Sequence, residues 1–204
     1  MSVSAQEVKQ LRDKTGAGMM DCKEALVEAD GDQEKARVLL REKGKAAAEK
    51  KRSRTANEGV IAHYVHGDNK IGVLVELNCE TDFVARNEDF QELGTEIAMQ
   101  IAAMDPLVVR REELSEEVIE RERSIYAKHA ADKPDHIVEK IVDGKMEKFF
   151  SKVCLLEQEY IRDSSKTVRE LIDEMVGVVG EKLKVSRFVR MELGGAAEEE
   201  GEDD

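Results

Sequence analysis

Apolar positions along this chain follow two periods, and the switch between them divides it. Over residues 5–40 they recur three and four apart in three short runs: Val8 and Leu11; Ala25, Leu26 and Ala29; Ala36, Leu39 and Leu40. Each run predicts a short helix with one buried stripe. Ser4 with Glu7, and Asp21 with Glu24, have the capping-box spacing, and Asp32 is placed to cap the third helix. TGAG at residues 15–18, Gly31 and Gly44 are the expected stops. A module of about 45 residues is near the lower limit for independent folding.

Period two takes over in GVIAHYVH (residues 59–66) and KIGVLVELN (residues 70–78), which are rich in β-branched residues. Gly67-Asp68-Asn69 between them is turn chemistry, so the pair predicts a hairpin. A long helix is expected over residues 82–104, with Phe83, Phe90, Ile97 and Met104 seven apart and Pro106 closing it. Residues 115–131 and 135–153 predict two more helices on either side of Pro134, with Gly144 a candidate break in the second. Thr167 and Glu170 form a capping box before the stripe Val168, Leu171, Ile172, Met175 and Val179. Residues 185–193 alternate again, as a third strand. The expected class is α+β: a three-helix module over residues 1–44, a basic and partly helical linker over 45–58, then a core over 59–193 with a three-stranded antiparallel sheet packed with helices. The tail, residues 194–204, reads GGAAEEEGEDD and lacks apolar side chains larger than Ala, so it is expected to be disordered.

Composition narrows the function. The net charge of −13 argues against nucleic acid as the main partner. The exception is KGKAAAEKKRSR (residues 43–54), which holds six basic residues and one acid. It offers an alternative reading as an RNA- or ribosome-associated protein, but no aromatic residues interleave the bases. Cysteines at 22, 79 and 154 show no paired spacing, which suggests free thiols in a reducing compartment. The N-terminus has no signal-peptide core and no run of 18 apolar residues occurs. A cytoplasmic protein is expected, with no membrane partner.

Signatures of covalent chemistry are missing. Gly177-Val-Val-Gly180-Glu-Lys lacks the P-loop spacing, and no GxGxxG follows a strand. His63 and His66 stand three apart on a predicted strand, which turns them to opposite faces and disfavours a shared metal. A nucleophilic pair of Cys79 with His63 would need the two to meet across the hairpin. No catalytic residue, metal site or cofactor is assigned.

Two longer strings go further. LRDKTGAGMMDCKEAL (residues 11–26) and ELNCETDFVAR (residues 76–86) resemble the two signature segments of the translation elongation factor Ts family. The likeness extends through KIGVLVELN and KVSRFVRMEL (residues 184–193) to nearly all of residues 2–193. The resemblance implies a guanine-nucleotide exchange factor for elongation factor Tu, the GTPase that carries aminoacyl-tRNA, with both its GDP-bound and nucleotide-free forms as partners. It implies an N-terminal module like a ubiquitin-associated fold. Many members carry two core subdomains; a single GVLVE-type hairpin marks this chain as similar to the short form, for which the resemblance implies a homodimer. It also implies that Thr81-Asp82-Phe83-Val84 is a tip that intrudes beside the Mg²⁺ site of the GTPase. Arg12, Met19 and Met20 fall where members dock on a GTPase helix, and His66 matches a further family position. Periodicity alone places Phe83 in the core stripe with Phe90 and Ile97, so the two readings of Phe83 diverge.

Overall fold

A computed structural model describes residues 3–131 and 133–195 of the chain. The expectation of a disordered tail falls outside the described residues from residue 196 onward. In chain order the elements are α1 (Ala5–Thr15), α2 (Met19–Glu28), α3 (Gln33–Lys51), β1 (Glu58–His66), β2 (Ile71–Cys79), α4 (Asp82–Ala85), α5 (Glu88–Met104), α6 (Glu116–His129), α7 (Asp135–Val153), β3 (Glu159–Tyr160), β4 (Asp163–Thr167), α8 (Val168–Val179) and β5 (Lys184–Glu192). Strands β1, β2 and β5 form an antiparallel sheet in that order, and β3 pairs with β4. The α+β class is therefore as expected. The chain divides into two compact units.

The first unit holds the chain up to Ile61, with Leu77–Leu93 and Arg169–Lys184. Its three N-terminal helices close on Val8, Leu11, Cys22, Ala25, Leu26, Ala29 and Ala36, all buried. The capping box forms: the Glu7 amide donates to Ser4 Oγ at 3.3 Å, and the Ser4 amide to the Glu7 carboxylate at 2.7 Å. The Asp32 carboxylate accepts the Glu34 and Lys35 amides, both at 3.0 Å, which holds its pKa below the ordinary value. Asp21 does not cap α2. That helix starts earlier, at Met19, with Gly18 at its cap, and Asp21 lies in the first turn, where its charge suits the positive end of the helix dipole.

Gly44 does not end α3 either; the helix runs on to Lys51. The glycine is there for space. A Cβ on it would lie 2.9 Å from the Asp173 carbonyl oxygen, and one on Gly177 would lie 3.3 Å from the Gly44 Cα. Helices α3 and α8 cross at these two glycines. Arg41 to Glu174 at 3.0 Å and Lys45 to Glu170 at 2.6 Å flank the crossing. Much of the expected linker is therefore helix packed within this unit. At the entry to β1, Gly59 has φ 150°, and a Cβ there would fall 2.1 Å from the Leu77 carbonyl oxygen. Only glycine fits so close a strand approach.

The second unit holds Ala62–Glu76, Gly94–Val168 and the chain from Val185. Its hairpin turns at Gly67-Asp68-Asn69, all three with positive φ. Helix α7 passes Gly144 unbroken, and Ser115 caps α6 through the Val118 amide. The β3–β4 pair is an addition to the strands that the sequence pattern predicts. Buried Gln100 and Gln158 anchor this region: Gln100 Nε2 donates to Gln158 Oε1 at 3.1 Å and to the Glu159 carbonyl at 3.1 Å, and Gln100 Oε1 accepts the Ile161 amide at 2.9 Å. Gln158 Nε2 donates to the Lys152 carbonyl at 2.7 Å. So complete a set of partners is what makes buried amides tolerable. One sheet face of this unit leaves Val65, Leu74, Val189 and Met191 exposed. Arg187 and Glu76 pair across it at 2.8 Å.

Candidate partner-binding site

The single helix expected over residues 82–104 is two helices. Asn87 separates them: its amide donates to the Val84 carbonyl at 3.0 Å, and its side-chain oxygen accepts the Asp89 amide at 2.8 Å, starting α5. Phe90 and Ile97 are fully buried on α5, but the break rotates Phe83 out of their register. Phe83 is 80% exposed, the most exposed large apolar side chain among the described residues. It stands on α4, a single turn. The core-stripe reading of Phe83 is thus incorrect.

Thr81, not Asp82, is the cap of that turn: Thr81 Oγ1 accepts the Val84 amide at 3.5 Å. Asp82 is the first helical residue, and its carboxylate pairs with Arg86 at 2.9 Å. Val84 is half-buried and Ala85 buried. Short and solvated, α4 has little stability of its own. It is held from outside. Glu181 Oε2 accepts the backbone amides of Glu80 and Thr81, each at 3.0 Å, and Glu181 Oε1 accepts the Thr81 hydroxyl at 2.6 Å. In return, the Glu80 carboxylate accepts the Lys182 amide at 2.6 Å and the Arg54 guanidinium at 3.3 Å. That backbone bond, then the Arg54 charge, holds the Glu80 carboxyl below its usual value. Lys182 Nζ donates to the carbonyls of Arg52 and Arg54, the residues just past α3.

Sequence reasoning missed Glu80, Glu181 and Lys182. Gly180-Glu181-Lys182 reads in the sequence only as a fragment without the P-loop spacing. Nothing local marks it as the support of a turn 100 residues away.

Met19 and Met20 sit in the first turn of α2, not in a loop, and are 45% and 65% exposed. Arg12 is exposed in the last turn of α1, so the three flank one connecting turn, Gly16 to Gly18. His66 ends β1 in the second unit, with Nδ1 2.8 Å from the Tyr64 hydroxyl. No cluster of metal-binding side chains occurs among the described residues. All three cysteines are free and buried. Burial, then the Glu181 charge, pushes the Cys79 thiol up, and it donates to the Thr81 carbonyl at 3.1 Å. It therefore braces the turn, and its burial disfavours the thiolate. Several bases of residues 43–54 face acids: Lys43 meets Glu24, Lys45 meets Glu170, Arg52 meets Glu49 and Arg54 meets Glu80. No described helix is long and apolar enough to cross a membrane.

The sequence pattern that defines the family described as Elongation factor TS matches residues 20–195. The chain is similar to the Elongation factor Ts of Thermotoga sp. (strain RQ2), 56% identical over 194 residues that cover 95% of this chain and 98% of that one. It is 57% identical to that of Desulforamulus reducens over 203 residues, covering 98% of this chain and 94% of the relative. The Elongation factor Ts of Thermosipho melanesiensis is 57% identical over 194 residues, covering 94% and 99%.

Proposed function

The chain belongs to the elongation factor Ts family, and from that premise we propose that it is a guanine-nucleotide exchange factor for elongation factor Tu, with the α4 turn as its working tip. One observation carries the reading: Phe83 stands exposed on a turn whose backbone is fixed from beneath by Glu181. An apolar ring held in water on a rigid base has no folding role and is suited to enter another protein. Phe freezes only two rotors on docking, which makes it an efficient anchor.

The GTPase holds GDP through backbone amides around the phosphates and through its own Mg²⁺. Thr81-Asp82-Phe83-Val84 inserts beside that metal and displaces the segment that orders its ligands. Loss of metal and phosphate contacts weakens GDP. Each tenfold weakening needs about 1.4 kcal/mol of differential binding. Linkage is reciprocal, so rebinding of nucleotide expels the factor. The N-terminal module docks through Arg12, Met19 and Met20, where flexible thioethers adapt to a helix surface. His66 is a lesser contact. The factor forms and breaks no covalent bond in this scheme.

The working form is a homodimer about a two-fold axis. Val65, Leu74, Val189 and Met191 give the second unit an apolar sheet face in water, and β1 and β5 are edges of the sheet among the described residues. Such faces and edges favour association with a second copy. The test of function is direct: elongation factor Tu loaded with a fluorescent GDP releases it faster when the protein is added, and an unchanged release rate would reject the reading.

A further inference from the structure

The support beneath the tip is unusual in its layout. Two carboxylates exchange backbone amides: Glu181 takes those of Glu80 and Thr81, and Glu80 takes that of Lys182. The Lys182 ammonium then grips the last carbonyls past α3, at Arg52 and Arg54, at 2.7 and 2.5 Å. Helix α3 is the third helix of the docking module. A continuous chain of hydrogen bonds thus runs from that module's long helix, through residues 180–182, to the base of α4.

We propose that Glu181 is a positioning residue for nucleotide exchange, holding the Thr81–Val84 turn at a fixed height relative to the docking module. Three donors converge on one side chain, so its reach matters more than its charge. Oε2 receives two amides from consecutive residues and Oε1 receives the Thr81 hydroxyl that also caps the turn. Two adjacent amides on one oxygen fix the direction in which the chain leaves β2 for α4. Without that anchor the start of the four-residue helix keeps its own cap and the Cys79 thiol bond to the Thr81 carbonyl, and loses the three bonds that aim its backbone. The exposed ring would then sample many positions, and insertion at the metal would lose its geometry.

The inference rests on the tip reading proposed above. It predicts a split between chemistry of reach and chemistry of charge. Glu181→Asp keeps the charge but shortens the side chain by one methylene. Glu181→Gln keeps the length; its amide oxygen can accept both backbone amides and its NH2 can donate to Thr81 Oγ1. Steady-state exchange is measured on GDP-loaded elongation factor Tu with wild type, Glu181→Asp, Glu181→Gln and Phe83→Ala, each checked for folding by circular dichroism melting. Expected is a fall in kcat of about tenfold or more for Glu181→Asp, with KM within about threefold, since misplacing a group by a fraction of an ångström is costly while docking is untouched. Glu181→Gln recovers most of the wild-type kcat. A wild-type kcat for Glu181→Asp, a change confined to KM, or a Glu181→Gln as slow as Glu181→Asp would each overturn the positioning role. Phe83→Ala reads the premise separately: full activity there rejects the tip itself, whatever Glu181 does.

Discussion

Gly44 on α3 presses against the Asp173 carbonyl on α8, with only 2.9 Å left for a Cβ that the glycine does not have. The obstacle is backbone and cannot swing aside. Gly44→Ala gains helix propensity, worth about 1 kcal/mol, but must open the crossing, which costs about 1–3 kcal/mol. A net loss of about 1 kcal/mol, seen as a fall of about 2–4 °C in Tm, is expected. Gly177→Ala meets Gly44 at 3.3 Å and costs less. Thermal melts of the two variants check the order; Gly44→Ala as stable as wild type would mean the helices do not cross at this point.

The Glu80 carboxylate gives the tip base a pH dependence. Its folded pKa is depressed below 4.5 by the Lys182 amide, then by Arg54. A depressed carboxylate contributes stability above its unfolded pKa, and that contribution is lost as pH falls through the lower folded value. Wild type should therefore melt about 2–4 °C above Glu80→Gln at pH 7. The gap should shrink on acidification past the ordinary glutamate range. A gap that is constant with pH would show that Glu80 acts by shape alone.

Met19 and Met20 offer a clean test of docking. Replacing both with Asp adds acid to the first turn of α2, which the helix dipole favours, so the module should stay folded. Affinity for elongation factor Tu should fall about tenfold or more, as for the loss of two interface anchors. Titration calorimetry with the double variant measures it. Unchanged affinity would remove these two residues from the interface.

Assembly is tested at the exposed sheet face. Wild type is expected to sediment as two chains, and Leu74→Asp with Val189→Asp as one folded chain. Both side chains are exposed, so the substitutions spare the core. Wild type at the mass of one chain across concentrations, alone and with the GTPase, would exclude the dimer.

Local chemistry made much of this fold legible. The Ser4–Glu7 box, the Asp32 cap, the hairpin turn and the limits of α7 all depend on residues within a few positions of one another. What escaped depends on distant partners. Gly44 has the composition of a helix stop, yet Asp173 decides its role. The seven-residue spacing of Phe83, Phe90 and Ile97 predicts one stripe, and Asn87, by capping the next helix, breaks it. Strands β3 and β4 are short and polar, without alternation to reveal them. Likeness to a family singles out Thr81–Val84 in the sequence, but nothing singles out Glu181, which holds that turn, because an acid near the end of a helix has many ordinary uses.

In the proposed mechanism an exposed phenyl ring on a fixed turn expels GDP from a GTPase. Stopped-flow release of a fluorescent GDP from elongation factor Tu, with saturating wild type or Phe83→Ala, isolates the contribution of the ring. Because the ring is 80% exposed, its removal should change folding stability by no more than about 0.5 kcal/mol. Phe83→Ala should melt like wild type and release GDP at least about tenfold more slowly. A Phe83→Ala protein that melts normally and drives GDP release at the wild-type rate would contradict it.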